Sequence, residues 1–177
     1  KEIFQNIYVD AQTGKIIAKH DLSYSALYRR IADGSNNAYR NANYDFSALS
    51  MLRSENDGPH AISEVNDLYN FSGYMYHTIH NMFGEDSFDN NGSDINMIYN
   101  DTSLSCPNAV WDGSVASFCL GMEGDDIVSH ELGHAYQEYH HHLIYQYQAG
   151  ALNEAYSDII GETIDNINQL GYAHNKN

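Results

Sequence analysis

His130-Glu131-Leu132-Gly133-His134, followed twenty residues on by Glu154 and then by Asp158, constrains this chain more than any other feature. On an α-helix four residues advance about 400°, so His130 and His134 share one face, one turn apart. Asp125 or Asp126 can cap such a helix, which is expected to start near Ile127. Gly150 reads as a break, after which a second helix is expected from about Ala151 to Leu170, stopping at Gly171. If the second helix packs antiparallel on the first, Glu154 projects at the histidine pair, with Asp158 at i+4 on the same face.

That arrangement suits a metal ion. Two imidazoles one turn apart can reach one ion at about 2.0–2.1 Å. Glu131 sits one step round, beside the open coordination position, where it can take a proton from a metal-bound water. The third ligand decides the class of site. His140 lies six residues after His134, as in the HExxHxxGxxH pattern. There a glycine lets the chain leave the helix sharply, but here that position is Gln137. The methionine turn expected downstream is missing too, since Met51, Met75, Met82, Met97 and Met122 all precede the motif. Glu154 is the better third ligand, and Asp158 can accept the second N–H of a ligand imidazole and so fix its tautomer. His140, His141 and His142 then read as a bystander run at the helix end, where the helix dipole suits them.

The rest of the chain bounds the setting. Its 177 residues suffice for one domain with a real core, or for a domain plus a fragment of another. Lys and Arg total 8 against 24 Asp and Glu, a net charge of −16, which argues against nucleic acid or an anionic membrane as partner. No apolar run approaches the roughly 20 residues of a membrane span. No signal peptide stands at Lys1, so a leader is expected to have been removed ahead of it. Cys106 and Cys119 could be free thiols, part of a metal site or a disulfide. The absence of any CxxC disfavours structural zinc, and the disulfide is the favoured reading, implying an oxidising compartment. A loop this short would stabilise by about 3 kcal/mol in the chain-entropy model.

Along the chain, residues 3–21 read as two short strands around the turn Ala11–Gly14, and residues 33–45 as a polar loop or linker. Val65, Leu68, Tyr69, Tyr76, Ile79 and Phe83 predict a helix over about Ala61–Phe83, with Gly84 as its stop. Ile95–Tyr99 reads as a strand. Asp89-Asn90-Asn91-Gly92 before it reads as a turn in preference to a weak cation site.

With these blocks in order, the chain resembles the thermolysin-type zinc endopeptidases, the His-His-Glu group. The resemblance runs from roughly Leu68 to Ile164. "HELGHAYQEY…LIYQYQAGALNEAYSDIIGETID" carries the closest match, and "DSFDNNG" and "NAVWDG" resemble two upstream blocks. It implies an α+β fold, the N-terminal lobe of a two-lobed metalloprotease, with strands followed by the active-site helix and a helix carrying the third ligand. It implies Zn2+ held by His130, His134 and Glu154, with Glu131 as general base. Asp158 would orient His130, and Asn153 would neighbour His134. Tyr145 would help hold the oxyanion, the alternative being a core tyrosine at a helix–loop junction. Asn108 and Ala109 would hydrogen-bond an extended peptide by strand addition. Trp111 beside them is expected to pack rather than to catalyse, and Ile127 would wall the apolar pocket for the residue after the cut bond. Asp126 and Asp165 match acidic Ca2+ ligands.

The resemblance further implies that residues 1–22 end a propeptide, with cleavage near Ser23–Asp33, and that residues 23–177 form the N-terminal lobe. The second lobe is expected to be absent from this chain, since none of His140, His141, His142 or His174 falls where the family's downstream histidine does. The family often has glycine where His142 stands, so a positive φ there would cost something. The expectation is a secreted, extracellular or periplasmic zinc endopeptidase made as a zymogen. It would act on protein or peptide substrates, with its own propeptide and a C-terminal lobe as partners. The alternative is a catalytically incomplete or non-catalytic metal-binding module, and a third-ligand His140 would make it metzincin-like instead.

Overall fold

The computed structural model describes residues 5–21 and 27–169. The expected helix stop at Gly171, as well as His174, lies outside them. Strands β1 (Gln5–Val9) and β2 (Ile16–Asp21) form an antiparallel hairpin. Asp10 Oδ1 accepts the Gln12 and Thr13 amides at 2.8 Å and Gly14 takes φ +68°, so local hydrogen bonding and one glycine set the turn.

The remainder is built on a five-stranded sheet of β3 (Arg29–Asp33), β4 (Met51–Ser54), β5 (Ile95–Tyr99), β6 (Ala109–Trp111) and β7 (Ala116–Phe118), in the order β4-β3-β5-β7-β6. The central β5 runs parallel to β3 and β7, while β4 and β6 pair antiparallel at the two edges. Four of the five β5 residues are buried, the near-continuous apolar run that a strand covered on both faces requires. Alternation divides the sheet's side chains between two clusters. Ile31, Met97 and Phe118 join the larger core, and Ala32, Ile98 and Val115 join a smaller one.

The smaller cluster is closed by Tyr39 and Phe46, from the stretch expected to be a polar loop. That stretch instead holds a 3-10 turn (Ser35–Asn37) and a short helix α1 (Ala38–Asn41). Left-handed Asn36, Asn37, Asn43 and Tyr44 turn the chain sharply enough to bring Tyr39 inward.

Three long helices follow. Helix α2 (Ser63–Phe83) buries Val65, Leu68, Met75, Tyr76 and Ile79 against the larger core and ends on left-handed Gly84. Helix α3 (Asp125–His140) starts two residues before the expected point. Gly124, extended at φ −67°, is its N-cap, so Asp125 and Asp126 sit in the first turn, where carboxylates complement the helix dipole. Helix α4 (Tyr147–Gln169) likewise starts early and runs straight through Gly150. The expected break fails because Gly150 is buried where the Tyr145 backbone folds back, 3.4 Å from where a Cβ would stand, and a glycine's modest helix penalty is tolerated there. Among the described residues no helix is long and apolar enough to cross a membrane.

Candidate metal centre and cleft

The site forms where α3, α4 and the edge strand β6 meet. Helices α3 and α4 run antiparallel, since Asp126 faces Gly161, Gly133 faces Ser157 and Gln137 faces Asn153. Two glycines permit the close approach. A Cβ on Gly161 would stand 2.6 Å from the Asp126 carbonyl oxygen, and one on Gly133 would stand 3.2 Å from Ser157 Cα. With the helices this close, Glu154 reaches the histidine pair.

His130 and His134 bring their Nε2 atoms within 3.0 Å of each other. Glu154 Oε2 lies 3.3 Å from His130 Nε2 and 3.7 Å from His134 Nε2. The far nitrogens are engaged elsewhere: His130 Nδ1 lies 2.9 Å from Asp158 Oδ1, and His134 Nδ1 lies 2.6 Å from Asn153 Oδ1. A carboxylate oxygen can only accept, so Nδ1 of His130 carries its proton; Asn153 Oδ1 assigns the same tautomer to His134. Both Nε2 atoms are then bare lone pairs. Two lone pairs and a carboxylate converging without a proton between them repel unless a cation stands there. Tetrahedral ligands at about 2.0–2.1 Å from zinc lie about 3.3 Å apart, which these separations match. The donor set, two imidazoles and one carboxylate, fits Zn2+. Among the described residues, no other group of three His, Cys, Asp or Glu converges in this way.

Glu131 is buried beside the centre. Burial raises its carboxyl pKa to about 7, against the lowering effects of neighbouring His130 and of the Trp111 backbone N–H. Burial also lowers the pKa of His134, partly offset by the hydrogen bond to Asn153, which favours the neutral ring a ligand needs. Tyr145 donates its hydroxyl to Glu154 Oε1 and is 63% exposed, so it is not a core tyrosine.

A cleft of about 880 Å³ runs over the centre, lined by Asn108, Ala109, Trp111, Glu131, Glu138 and Tyr145 among others. A second hollow of about 280 Å³ adjoins it and includes Ile127, Asp126 and Gly161. Cys119 N donates to Asn108 O and Asp112 N donates to Val115 O, so these even positions bond to β7. The polar backbone groups of Ala109 and Trp111 therefore point off the sheet edge into the cleft. Trp111 packs its ring on Phe88 and donates Nε1–H to Glu138 Oε2 at 2.7 Å, while its backbone N–H meets Glu131. The packing reading of Trp111 holds for the ring, and its main chain does more than that reading foresaw.

The remaining candidates fall outside the centre. His140 donates Nδ1–H to the Tyr136 carbonyl at 2.8 Å, places Nε2 3.0 Å from Glu85, and stacks on Tyr136. His142 takes φ +48°, the strained conformation anticipated at that position. Asp126 caps the Ile127 amide and Asp165 accepts from Gln169, each bonded locally. Asp89 accepts from Asn91 and Ser93, as a turn residue does. Cys106 and Cys119 are joined in a disulfide. Two residues at the centre escaped the sequence reading: Ser157, 3.0 Å from His134 Nδ1, and Gln137, which donates to Ser157. Ser157 stands four residues after Asn153, so the helical-face argument that paired Glu154 with Asp158 could have found it.

Residues 10–138 match the family model described as thermolysin metallopeptidase, catalytic domain. A zinc metalloproteinase of Renibacterium salmoninarum is 32% identical over 135 residues, covering 67% of this chain and 25% of that protein. Thermolysin of Alicyclobacillus acidocaldarius subsp. acidocaldarius is 30% identical over 141 residues, covering 76% and 22%. The precursor of protealysin, a metalloproteinase from Serratia proteamaculans, superposes with a TM-score of 0.70 at 25% identity, covering 83% of this chain and 46% of that one. The chain thus spans about a quarter of the length of these curated relatives. The family match ends at Glu138, before Asn153, Glu154 and Asp158, so the α4 half of the centre rests on the geometry described above.

Proposed function

The chain belongs to the thermolysin metallopeptidase family, and from that premise we propose that it acts as a zinc-dependent endopeptidase on protein or peptide substrates. The observation that carries this reading is the convergence of His130 Nε2, His134 Nε2 and Glu154 Oε2 with both far nitrogens held by Asp158 and Asn153. His130, His134 and Glu154 would hold a zinc ion, which would supply Lewis acidity to the scissile carbonyl and to a water.

The chain's own residues do the rest. An extended peptide adds to the β6 edge, using the outward backbone groups of Ala109 and the Trp111 carbonyl, with Asn108 at the same edge. Glu131 takes the proton of the attacking water and passes it to the leaving amine nitrogen, a task suited to a carboxyl poised near neutrality. The Tyr145 hydroxyl turns from Glu154 to the developing oxyanion. Ile127 walls the hollow beside the centre, which favours an apolar residue after the cut. In the same reading, residues 1–22 are the end of a propeptide that docks on the enzyme, and residues 23–177 are its N-terminal lobe. A further segment completes the cleft, and Asp126 and Asp165 contribute to a calcium site once further oxygens join them. The disulfide, together with a relative named as an extracellular elastase, supports secretion.

A second reading is a metal-binding module that does not cleave. Its support is the openness of the centre, where Glu154 is 42% and Tyr145 63% exposed. Cleavage of internally quenched peptides by the whole protein decides between them. Glu131→Gln keeps the ligands and should lower kcat by about 10²–10⁴ while zinc content is unchanged. Zinc uptake without cleavage by either protein establishes the module, and equal cleavage by both removes Glu131 from the mechanism.

A further inference from the structure

Gln137 lies one turn past His134 on α3 and is 1% exposed. Its amide nitrogen donates across to α4, to the Asn153 carbonyl oxygen at 2.9 Å and to the Ser157 hydroxyl at 2.8 Å. The Gly133 carbonyl of its own helix stands further off, at 3.4 Å. Two carbonyl oxygens beside this atom fix the amide's orientation, because Oε1 in its place would face both of them. Each of the two short bonds lands on a residue that itself touches His134 Nδ1: Asn153 through Oδ1 at 2.6 Å, and Ser157 through Oγ at 3.0 Å. The other amide atom, Oε1, is buried without a hydrogen-bond partner among the described residues. A buried orphan oxygen is unfavourable, and methionine or leucine would fill the same volume without one. Packing therefore does not account for a glutamine here, whereas the aim of its N–H groups does.

We propose that Gln137 is a positioning residue of the metal centre, setting α4 on α3 and the tautomer of His134. By holding the Asn153 carbonyl and the Ser157 hydroxyl, Gln137 keeps Asn153 Oδ1 2.6 Å from His134 Nδ1 as the acceptor of its proton. His134 then keeps its proton on Nδ1, and its Nε2 stays bare for the ion. Without that anchor Asn153 Oδ1 can draw back, and the Ser157 proton can meet Nδ1 in its place and favour the tautomer protonated at Nε2, which cannot ligate. The inference rests on the zinc reading of the site.

The test uses the whole protein, its Gln137→Met variant and zinc alone as probe. Zinc affinity is measured by chelator competition, unfolding of the metal-free protein by urea, and the His134 tautomer by imidazole nitrogen NMR without metal. Gln137→Met should bind zinc about tenfold more weakly. Its metal-free stability should be unchanged or higher, with new Nε2–H signal at His134. Ser157→Ala, which removes the proton that could turn, should hold the Nδ1–H tautomer in both backgrounds and so blunt the effect of Gln137→Met. A variant that loses stability yet keeps the parent's zinc affinity and tautomer overturns the proposal in favour of a packing role. A full Gln137→Met effect in the Ser157→Ala background overturns the proposal as well, and if Gln137→Met does not fold, Gln137→Leu is read by the same criteria. A parent chain that takes up no zinc overturns the metal reading and this inference with it.

Discussion

Arg29 shows how a single residue's setting escapes local rules. Its Nε and Nη2 donate to the two Glu55 oxygens at 2.7 Å each, Nη1 donates to the Tyr69 carbonyl at 2.8 Å, and the guanidinium lies 3.6 Å over the Tyr69 ring. Burial alone would raise the Glu55 pKa, but the hydrogen bonds from Arg29 and Tyr69 outweigh it and hold the carboxyl below its ordinary value. A carboxyl with a depressed folded pKa contributes stability above its unfolded value, about 4.3, and loses it as pH falls through the folded value. Glu55→Gln should therefore cost about 1.5–3 kcal/mol at pH 7 and less at about pH 3, below the unfolded value. Urea unfolding at both pH values checks this, and a cost equal at both would rule out the ionic origin. The contrast with the metal centre is instructive. His130, His134 and Glu131 were legible because one helix fixes their spacing, and Glu154 and Asp158 because a second helix does. Arg29 and Glu55 stand 26 residues apart on different segments, and Gln137 meets Ser157 only once two helices are packed.

At the scale of elements, long periodic segments could be read and short ones could not. Helix α2, strand β5 and the first hairpin follow from apolar spacing and turn glycines. Strands β6 and β7 hold three residues each, too few for a period, and only the sheet defines them. The same limit applied to glycine. Gly150 resembles a helix break in sequence, yet it and Gly161 lie inside α4, and at Gly161 the requirement comes from a neighbour's backbone. Gly161 is the more demanding of the two. A Cβ there meets the Asp126 carbonyl at 2.6 Å, and neither backbone can yield without moving α4 away from α3. Gly161→Ala should destabilise by about 1–3 kcal/mol. It should also weaken zinc binding, because the same helix carries Glu154. Gly58→Ala, with nothing within 4 Å of the new methyl group, is the control. Thermal unfolding and a zinc titration on both variants decide it, and a Gly161→Ala protein matching the control in both would show that the helices can part freely.

For the whole molecule, the sheet order and the meeting of β6, α3 and α4 arise from long-range packing, so sequence could reach the family but not the arrangement of its cleft. The metal centre ties helices α3 and α4 together, and α3 packs in turn on α2 and β6, so binding at one point is felt by the fold as a unit. A ligand that binds only the folded state stabilises it by about 2.7 kcal/mol at a free concentration one hundred times its Kd. For a chain of this size that is a rise in Tm of about 5–10 °C. Residual zinc binding by histidines of the unfolded chain would trim the rise without changing its sign. A chelator should reverse it. Glu154→Ala should abolish most of the shift, since it removes one of the three converging donors. His140→Ala should leave the shift intact, because both nitrogens of that ring are engaged by Tyr136 and Glu85, away from the centre. Differential scanning calorimetry of the three proteins, with zinc and with chelator, makes the comparison. A shift that survived Glu154→Ala and vanished with His140→Ala would move the third ligand from α4 to the end of α3 and, with it, the proposed chemistry to another class of metalloprotease.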